Sequence, residues 1–111
     1  MGARSAKPDE VHQIRRLASD PSKVQMTKTV EYDLLANHLT KEDICDEIVA
    51  WIDAGERVKP TTLHTFPGLQ GQPAFEMKPV IGGTLFYLKV TLIRLSQPDE
   101  YMLLVSAHPD H

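Results

Sequence analysis

The spacing of apolar residues changes close to Arg57 and divides the chain into two differently patterned halves. Before this point, apolar residues recur every three or four positions, which is the spacing of one face of a helix. After it, apolar and polar residues alternate in short runs bounded by proline and glycine, which is typical of strands and turns. Because strands joined by short turns pair antiparallel, the pattern predicts an α+β fold in which N-terminal helices pack on a C-terminal antiparallel β-sheet.

Two helices and a short strand are predicted before residue 40. Pro8–Ala18 has apolar residues at helical spacing, a proline suited to a first turn, and acidic residues that complement the helix dipole. A strand at 23–26 follows, and either Thr27 or Thr29 then caps a helix that runs to about His38. The residues of that helix expected to face the core are Val30, Leu34 and Leu35.

A third helix is predicted from the approximate capping box of Thr40 and Asp43, with Gly55 as its C-terminal stop. Its apolar stripe consists of Ile44, Ile48, Trp51 and Ile52. Its other face carries Glu42, Asp46, Glu47 and Asp53. Such a face is most often solvated, and the alternative is a docking surface for a basic partner. Cys45 lies beside these carboxylates, which disfavour a thiolate, so we expect it to be a buried small side chain.

The strands of the second half are bounded by turn residues. The candidate strands are 58–66, 74–81, 84–95 and 101–107. A loop by composition at 67–73 separates the first two. Gly82 and Gly83 predict a hairpin between the second and third, and residues 97–100 predict the last turn.

Length and composition bound the class of protein. The chain has 111 residues, 41% of them hydrophobic and 24% charged, which is typical of one domain spanning 1–111. No apolar run approaches the ~20 residues of a membrane span, and the N-terminal charges are not followed by the apolar stretch of a signal peptide. With one cysteine, no internal disulfide can form, and we expect a cytoplasmic protein. The ends, about 1–6 and 109–111, are expected to be mobile.

Charge and histidine placement restrict the ligands that we expect. Twelve Lys plus Arg against fifteen Asp plus Glu give a net charge of −3, so nucleic-acid binding requires a local basic patch. His108 and His111 lie in the tail, where no regular element is predicted to arrange metal ligands. We therefore expect neither a metal nor another cofactor. His108, predicted just past the last strand, is instead a candidate acid or base group.

One face of the predicted sheet gathers polar side chains. Because side chains alternate across a strand, Tyr87 and Lys89 look out from the same face. Glu76 and Lys78 share a face of the preceding strand, and pairing through the glycine hairpin would bring the two polar faces together. The prediction is a cluster on the sheet surface, and the alternative is an ordinary solvated face.

Eight short segments follow one another in a characteristic order between Val11 and Ser106. They are IRRL at 14–17, VQMT at 24–27, LL at 34–35, DICDEIV at 43–49, KPTT at 59–62, MKP at 77–79, YLKVT at 87–91 and LLVS at 103–106. In their order and spacing they resemble the motility quorum-sensing regulator family of bacterial toxins, the MqsR type.

This resemblance implies a fold, an activity and a partner. Proteins of this family have a RelE-like fold and are metal-independent endoribonucleases that cut messenger RNA without the ribosome. Each is neutralised by a cognate antitoxin. For this chain the resemblance therefore implies a type II toxin that cuts single-stranded mRNA through attack by the 2′-OH and binds an antitoxin protein.

The resemblance also implies catalytic residues. Lys59 matches the first lysine of the family's site, Tyr87 matches its tyrosine, and His108 falls at the position of its C-terminal lysine. We expect Lys59 to stabilise charge on the phosphate, Tyr87 to orient the nucleophile or donate a proton, and His108 to act as an acid or base. The alternative for Tyr87 is simple cross-strand packing.

Further residues are predicted to bind the RNA: Gln72, Lys78, Lys89 and His64. Lys78 and Lys89 follow from the face argument. The family's glutamine falls on Ala74 by strict spacing, and on Gln72 or Gln70 through a loop shift.

The alternative hypothesis for the function is a non-catalytic protein-binding or regulatory module on the same fold. The net negative charge, the displaced glutamine and the acidic helix from Glu42 to Glu56 favour it. Salt dependence discriminates between the two, because the affinity of an RNA binder falls linearly with the logarithm of salt concentration.

Overall fold

The computed structural model of the protein describes residues 5–96 and 99–110. Within them, helices in the N-terminal half pack on a mostly antiparallel sheet that also includes one strand between the first two helices, which confirms the α+β class. The helices are Pro8–Ala18 (α1), Lys28–Ala36 (α2) and Lys41–Asp53 (α3). The strands are Val24–Met26 (β1), Lys59–Thr62 (β2), Pro73–Met77 (β3), Val80–Ile81 (β4), Thr84–Ser96 (β5) and Asp99–Pro109 (β6).

Side-chain caps set the starts of the second and third helices. The Thr27 hydroxyl accepts a hydrogen bond from the Val30 backbone N–H at 3.2 Å, so Thr27 rather than Thr29 caps α2. At α3, the Asp43 N–H donates to the Thr40 hydroxyl at 3.1 Å, and the Thr40 N–H donates to the Asp43 carboxylate at 2.9 Å. This confirms the predicted capping box. Replacing such a cap by alanine typically costs about 1 kcal/mol of stability.

The sheet has the strand order β1-β6-β5-β3-β2, with β4 paired to β5 beside it. Only the pair of β1 and β6 is parallel among the described strands. β3, β4 and β5 form one long hairpin around Gly82 and Gly83, whose φ angles of 58° and 83° suit a tight turn. The strand predicted at 74–81 is divided because Pro79 lacks the N–H that a continuous ladder needs.

The core lies between the helices and one face of the sheet. Its largest fully buried side chains include Ile14, Leu17, Ile44, Ile48, Met77, Leu88, Met102 and Leu104. The prediction for Leu35 is wrong, because its side chain is 75% exposed while Val30 and Leu34 are buried. Consecutive helical residues point about 100° apart, so the stripe that contains Val30 and Leu34 turns Leu35 outward.

The acidic face of α3 is solvated, as predicted. Glu42, Asp46 and Asp53 are exposed. Asp53 also accepts two hydrogen bonds from the guanidinium of Arg15 on α1, at 2.6 and 2.9 Å. This ion pair joins the last turn of α3 to α1 at the surface, where such pairs contribute only ~0–1 kcal/mol.

Two strands end at positions that differ from the prediction. β2 ends at Thr62 rather than Phe66, because the Gly71 N–H donates to the Leu63 carbonyl and closes a loop there. β6 continues to Pro109, so His108 lies within the strand and not after it. The predicted turn at 97–100 falls partly outside the described residues.

Parts of both chain ends make backbone hydrogen bonds. The Ala6 N–H donates to the Val58 carbonyl at 2.8 Å, and the Asp110 N–H donates to the Leu85 carbonyl at 2.8 Å. Residues 1–4 and 111, on which the rest of the predicted mobile ends falls, lie outside the described residues. Along the part of the chain that the structure describes, no helix combines the length and the apolar character that a membrane crossing needs.

Burial of Cys45 leads to a test of the core. Burial raises the pKa of its thiol from 9.0 to about 11, because the thiolate would lose its hydration. We expect iodoacetamide to leave the folded protein unmodified at mildly alkaline pH and to label it in denaturant, as followed by mass spectrometry. Since the folded pKa is the higher one, the stabilisation from this thiol is present below pH 9 and declines as the pH rises through about 11. Rapid labelling of native protein would contradict this packing.

Candidate active site on the open sheet face

The face of the sheet opposite the helices carries a row of polar residues at matched register. Lys59 on β2 pairs with Glu76 on β3, and Glu76 pairs with Lys89 on β5. On the other side of β5, two residues before Lys89, Tyr87 pairs with His108 on β6. We call the polar residues gathered here the sheet-face cluster: Lys59, Glu76, Lys78, Tyr87, Lys89, His108 and Asp110.

A β-bulge in β6 decides that His108 belongs to this face. Lys89 pairs with Ser106, but its neighbour Val90 pairs with Leu104, so Val105 is one extra residue on β6. The insertion reverses the alternation of β6 beyond this point. Leu104 therefore faces the core, and His108, four residues later, faces the opposite side together with Tyr87.

Tyr87 lies at the centre of the cluster. Its hydroxyl donates a hydrogen bond to Oε2 of Glu76. Its ring centroid is 5.5 Å from that of His108, and the Lys89 Nζ lies 5.6 Å from the centroid of the Tyr87 ring. These contacts position the phenol between β3 and β6, where it can reach a substrate group on the sheet.

The environment of Tyr87 restricts its chemistry to that of a hydrogen-bond donor. Burial raises the pKa of the phenol, and the hydrogen bond to Glu76 and the negative charges of Glu76 and Asp110 raise it further. The hydroxyl therefore stays protonated at physiological pH. It can donate a hydrogen bond to a developing negative charge, but it cannot act as a phenolate base.

Glu76 is the acidic centre of the cluster and was not among the predicted site residues. Its side chain is 16% exposed, with Oε2 bound by Tyr87 and Oε1 lying 3.8 Å from the Lys59 Nζ. The sequence does contain a signal for Glu76, because the alternation of side chains predicts it on the same face as Lys78, Tyr87 and Lys89. The resemblance implies no carboxylate at the site, so Glu76 was not predicted to be a catalytic residue.

His108 has a defined tautomer when it is neutral. Its Nδ1 lies 2.9 Å from the Pro109 carbonyl oxygen, and a carbonyl only accepts hydrogen bonds. Nδ1 therefore carries the hydrogen, which leaves Nε2 as the atom that can take up or deliver a proton. The ring lies beside Tyr87 on the side away from Glu76, because β5 separates β3 from β6.

The remaining charges form exposed ion pairs. The Lys78 Nζ lies 3.3 Å from the Asp110 carboxylate. The lysine side chains of this pair and of the Lys59–Glu76 pair are 54% and 59% exposed, respectively. Exposed pairs of this kind contribute only ~0–1 kcal/mol, so an incoming phosphate can replace the carboxylate partner at little expense.

The structure does not bring Gln72 and His64 to the cluster. The Gln72 side-chain amide donates to the Leu92 carbonyl at 2.9 Å, and Leu92 lies three residues along β5 from Lys89, roughly 10 Å. His64 is exposed in the loop after β2 rather than in a strand. Ala74, at the strict spacing, is buried in β3. The loop therefore does not place Gln72 beside Tyr87.

Within the described ranges, no group of three or more His, Cys, Asp or Glu side chains is arranged to hold a metal ion. The sheet-face cluster offers two carboxylates, an imidazole, a phenol and three ammonium groups.

Comparisons with known protein families, with curated proteins and with solved structures find no match to this chain.

The hydrogen bond between Tyr87 and Glu76 can be tested without any substrate. We expect Glu76→Gln to lower the pKa of Tyr87, because the substitution removes the negative charge that opposes ionisation of the phenol. An alkaline titration followed by ultraviolet absorbance measures this, with Tyr87→Phe identifying the step that belongs to Tyr87. Glu42→Gln, on the exposed face of α3, is the control for loss of one negative charge elsewhere. Titration curves of the Glu76→Gln and Glu42→Gln variants that superimpose would contradict the contact.

Proposed function

We propose that this protein is a metal-independent, ribosome-independent mRNA endoribonuclease of RelE-like fold, the toxin of a type II toxin–antitoxin pair that acts in the cytoplasm. The observation that carries the proposal is the position of Tyr87 between Glu76 and His108 on an open sheet face, with lysines beside them. The ordered resemblance to the MqsR-type toxins supplies the substrate, single-stranded mRNA, and the antitoxin partner.

Metal-free RNA cleavage needs a base, a stabiliser of negative charge and an acid. In the proposed reaction, Oε1 of Glu76 takes the proton from the 2′-OH, and the 2′-oxygen attacks the adjacent phosphorus. The bond from phosphorus to the 5′-oxygen breaks, and a protonated His108 delivers its Nε2 proton to that oxygen. The products are a 2′,3′-cyclic phosphate and a free 5′-OH.

Charge that develops on the phosphate is met by the other members of the cluster. The Tyr87 hydroxyl has one hydrogen, which it donates to Glu76 in the free protein. Once Glu76 has taken up the proton of the 2′-OH, this hydrogen can turn to the phosphate, and the raised pKa of Tyr87 keeps it on the phenol. Lys59 and Lys89 approach from the two sides of Glu76, as their cross-strand pairing requires. Preorganised donors of this kind stabilise the transition state more than the ground state.

A non-catalytic protein-binding module is the second candidate. The observation that favours it is that Lys59 and Lys78 already have carboxylate partners, so the cluster carries little net positive charge. The acidic exposed residues of α3 would then meet a basic surface of the partner protein.

The first test of the catalytic proposal is cleavage of single-stranded RNA in the presence of EDTA. We expect His108→Ala to lower the rate by ~10²–10⁴-fold, which is typical for an acid or base group. Tyr87→Phe and Lys59→Ala should each lower it by roughly 10²-fold through loss of charge stabilisation. Matched controls are His12→Ala, Tyr32→Phe and Lys28→Ala, which change exposed side chains on helices and should leave the rate unchanged.

Each other outcome of this assay has a clear meaning. Equal cleavage by wild type and all variants would assign the activity to a contaminating nuclease or to another site. Absence of cleavage by folded wild type, free of any bound protein, would favour the protein-binding module.

The pH dependence of cleavage tests the role of Tyr87. Burial and the hydrogen bond to Glu76 raise the pKa of the phenol, so it contributes no step to the pH–rate profile in the physiological range. Tyr87→Phe should lower the whole profile without moving it, since the raised pKa keeps the phenol protonated throughout. A profile that shifts in the Tyr87→Phe variant would assign the phenol a titrating role and contradict this mechanism.

A further inference from the structure

An open groove of about 350 Å³ runs from the sheet-face cluster towards the C-terminal end of α3. Its walls include Trp51 and five charged residues, three cationic and two acidic: Arg57, Lys59, Lys78, Glu56 and Glu76. Three of these residues, Lys59, Glu76 and Lys78, also belong to the cluster. A ligand bound in the groove would therefore be continuous with one bound at Tyr87.

Trp51 presents a fixed aromatic ring at this groove. The side chain is half-buried and packs against the hydrophobic core. Its indole N–H donates a hydrogen bond to the Arg57 carbonyl at 3.0 Å. Because the polar edge of the ring is satisfied and its position is set by packing, stacking on it requires little further ordering.

Cations accompany the aromatic ring. Arg57, Lys59 and Lys78 line the groove, and the two lysines are held only by exposed ion pairs at 3.8 and 3.3 Å. An aromatic platform beside cationic side chains is the arrangement that binds single-stranded nucleic acid, where a base stacks and the backbone follows the charges. A double helix does not offer an unstacked base to such a platform.

We propose that this groove binds the nucleotide adjacent to the scissile phosphate of a single-stranded RNA. Its base stacks on Trp51, and its phosphate lies among Arg57, Lys59 and Lys78. The inference rests on the proposed function and adds to it the selection of an unpaired nucleotide at a defined position. The RNA then contacts the protein on both sides of β3, with cleavage at Tyr87 and base stacking at Trp51.

The test uses the intrinsic fluorescence of Trp51, the single tryptophan of the chain. The probe is an RNA oligonucleotide with 2′-O-methyl groups throughout, which lacks the nucleophile and cannot be cleaved. We expect saturable quenching by the single strand, weakening with salt, and little quenching by the same sequence as a duplex. In parallel, fluorescence anisotropy of a labelled oligonucleotide measures the affinity of variants that lack the tryptophan.

Variants separate stacking from charge. Trp51→Leu should weaken binding by roughly tenfold or more, whereas Trp51→Phe, which keeps an aromatic ring, should retain most of the affinity. Lys78→Ala should reduce the slope of log affinity against log salt by about one, because one phosphate contact is lost. Lys28→Ala, on the exposed surface of α2, is the matched control and should leave the slope unchanged. Thermal melting shows which variants remain folded, and the wild-type quenching does not depend on any variant.

The outcomes distinguish this inference from the catalytic proposal. Cleavage of RNA without quenching of Trp51, or equal quenching by single strand and duplex, would overturn the groove and leave the catalysis standing. Saturable quenching by the single strand without cleavage of the unmodified RNA would support the groove and overturn the catalytic role of the cluster. Absence of both would overturn both.

Discussion

The single extra residue in β6 is the constraint on which the candidate site depends. Without the extra residue, side chains would alternate regularly along β6. His108, four residues after Leu104, would then face the same side as Leu104, which is fully buried. The bulge at Val105 changes the phase, so Leu104 and Ala107 both contribute to the core although they are three residues apart. Bulges are enriched beside active sites because they re-aim a side chain without disturbing the rest of a sheet.

The second determinant is the balance of charge around Tyr87. Burial and the hydrogen bond to Glu76 raise the pKa of the Tyr87 phenol, so it keeps its proton, and the same hydrogen bond orients Glu76, whose Oε1 lies 3.8 Å from the Lys59 Nζ. The donor and the acceptor therefore have fixed identities before any substrate arrives. The Lys59–Glu76 pair is weak because the lysine is exposed, so the lysine can move to a phosphate while Tyr87 continues to hold Glu76.

A feature could be predicted from the sequence when the residues that determine it lie close together in the chain. Helix starts depend on contacts within three or four residues, and the capping box of Thr40 with Asp43 was predicted correctly. The glycine hairpin fixed the register of Glu76 against Lys89, because a tight turn specifies pairing along both strands. Local signals were therefore sufficient for the fold class and for half of the cluster.

The remaining parts depend on contacts that are distant in the chain. The bulge at Val105 allows both Leu104 and Ala107 to be buried in the core, and no local pattern in β6 indicates it. The side-chain amide of Gln72 donates a hydrogen bond to the carbonyl of Leu92, twenty residues away, so spacing in the sequence could not show how far Gln72 lies from Tyr87. The groove at Trp51 likewise forms only where the end of α3 meets β2 and β3. Sites assembled from several elements are therefore predicted less well than the elements themselves.

The overall charge of −3 is distributed unevenly, because several carboxylates lie away from the cluster, where three lysines accompany Glu76 and Asp110. Glu42 and Asp46 lie on the outward face of α3, and the helices cover the side of the sheet opposite the cluster. A helix layer is about 10 Å thick, which equals roughly one Debye length at 0.1 M salt. Under the proposed function, a phosphate at Lys59 and Lys89 would therefore experience mainly the charges of the sheet face rather than those of the acidic helix face.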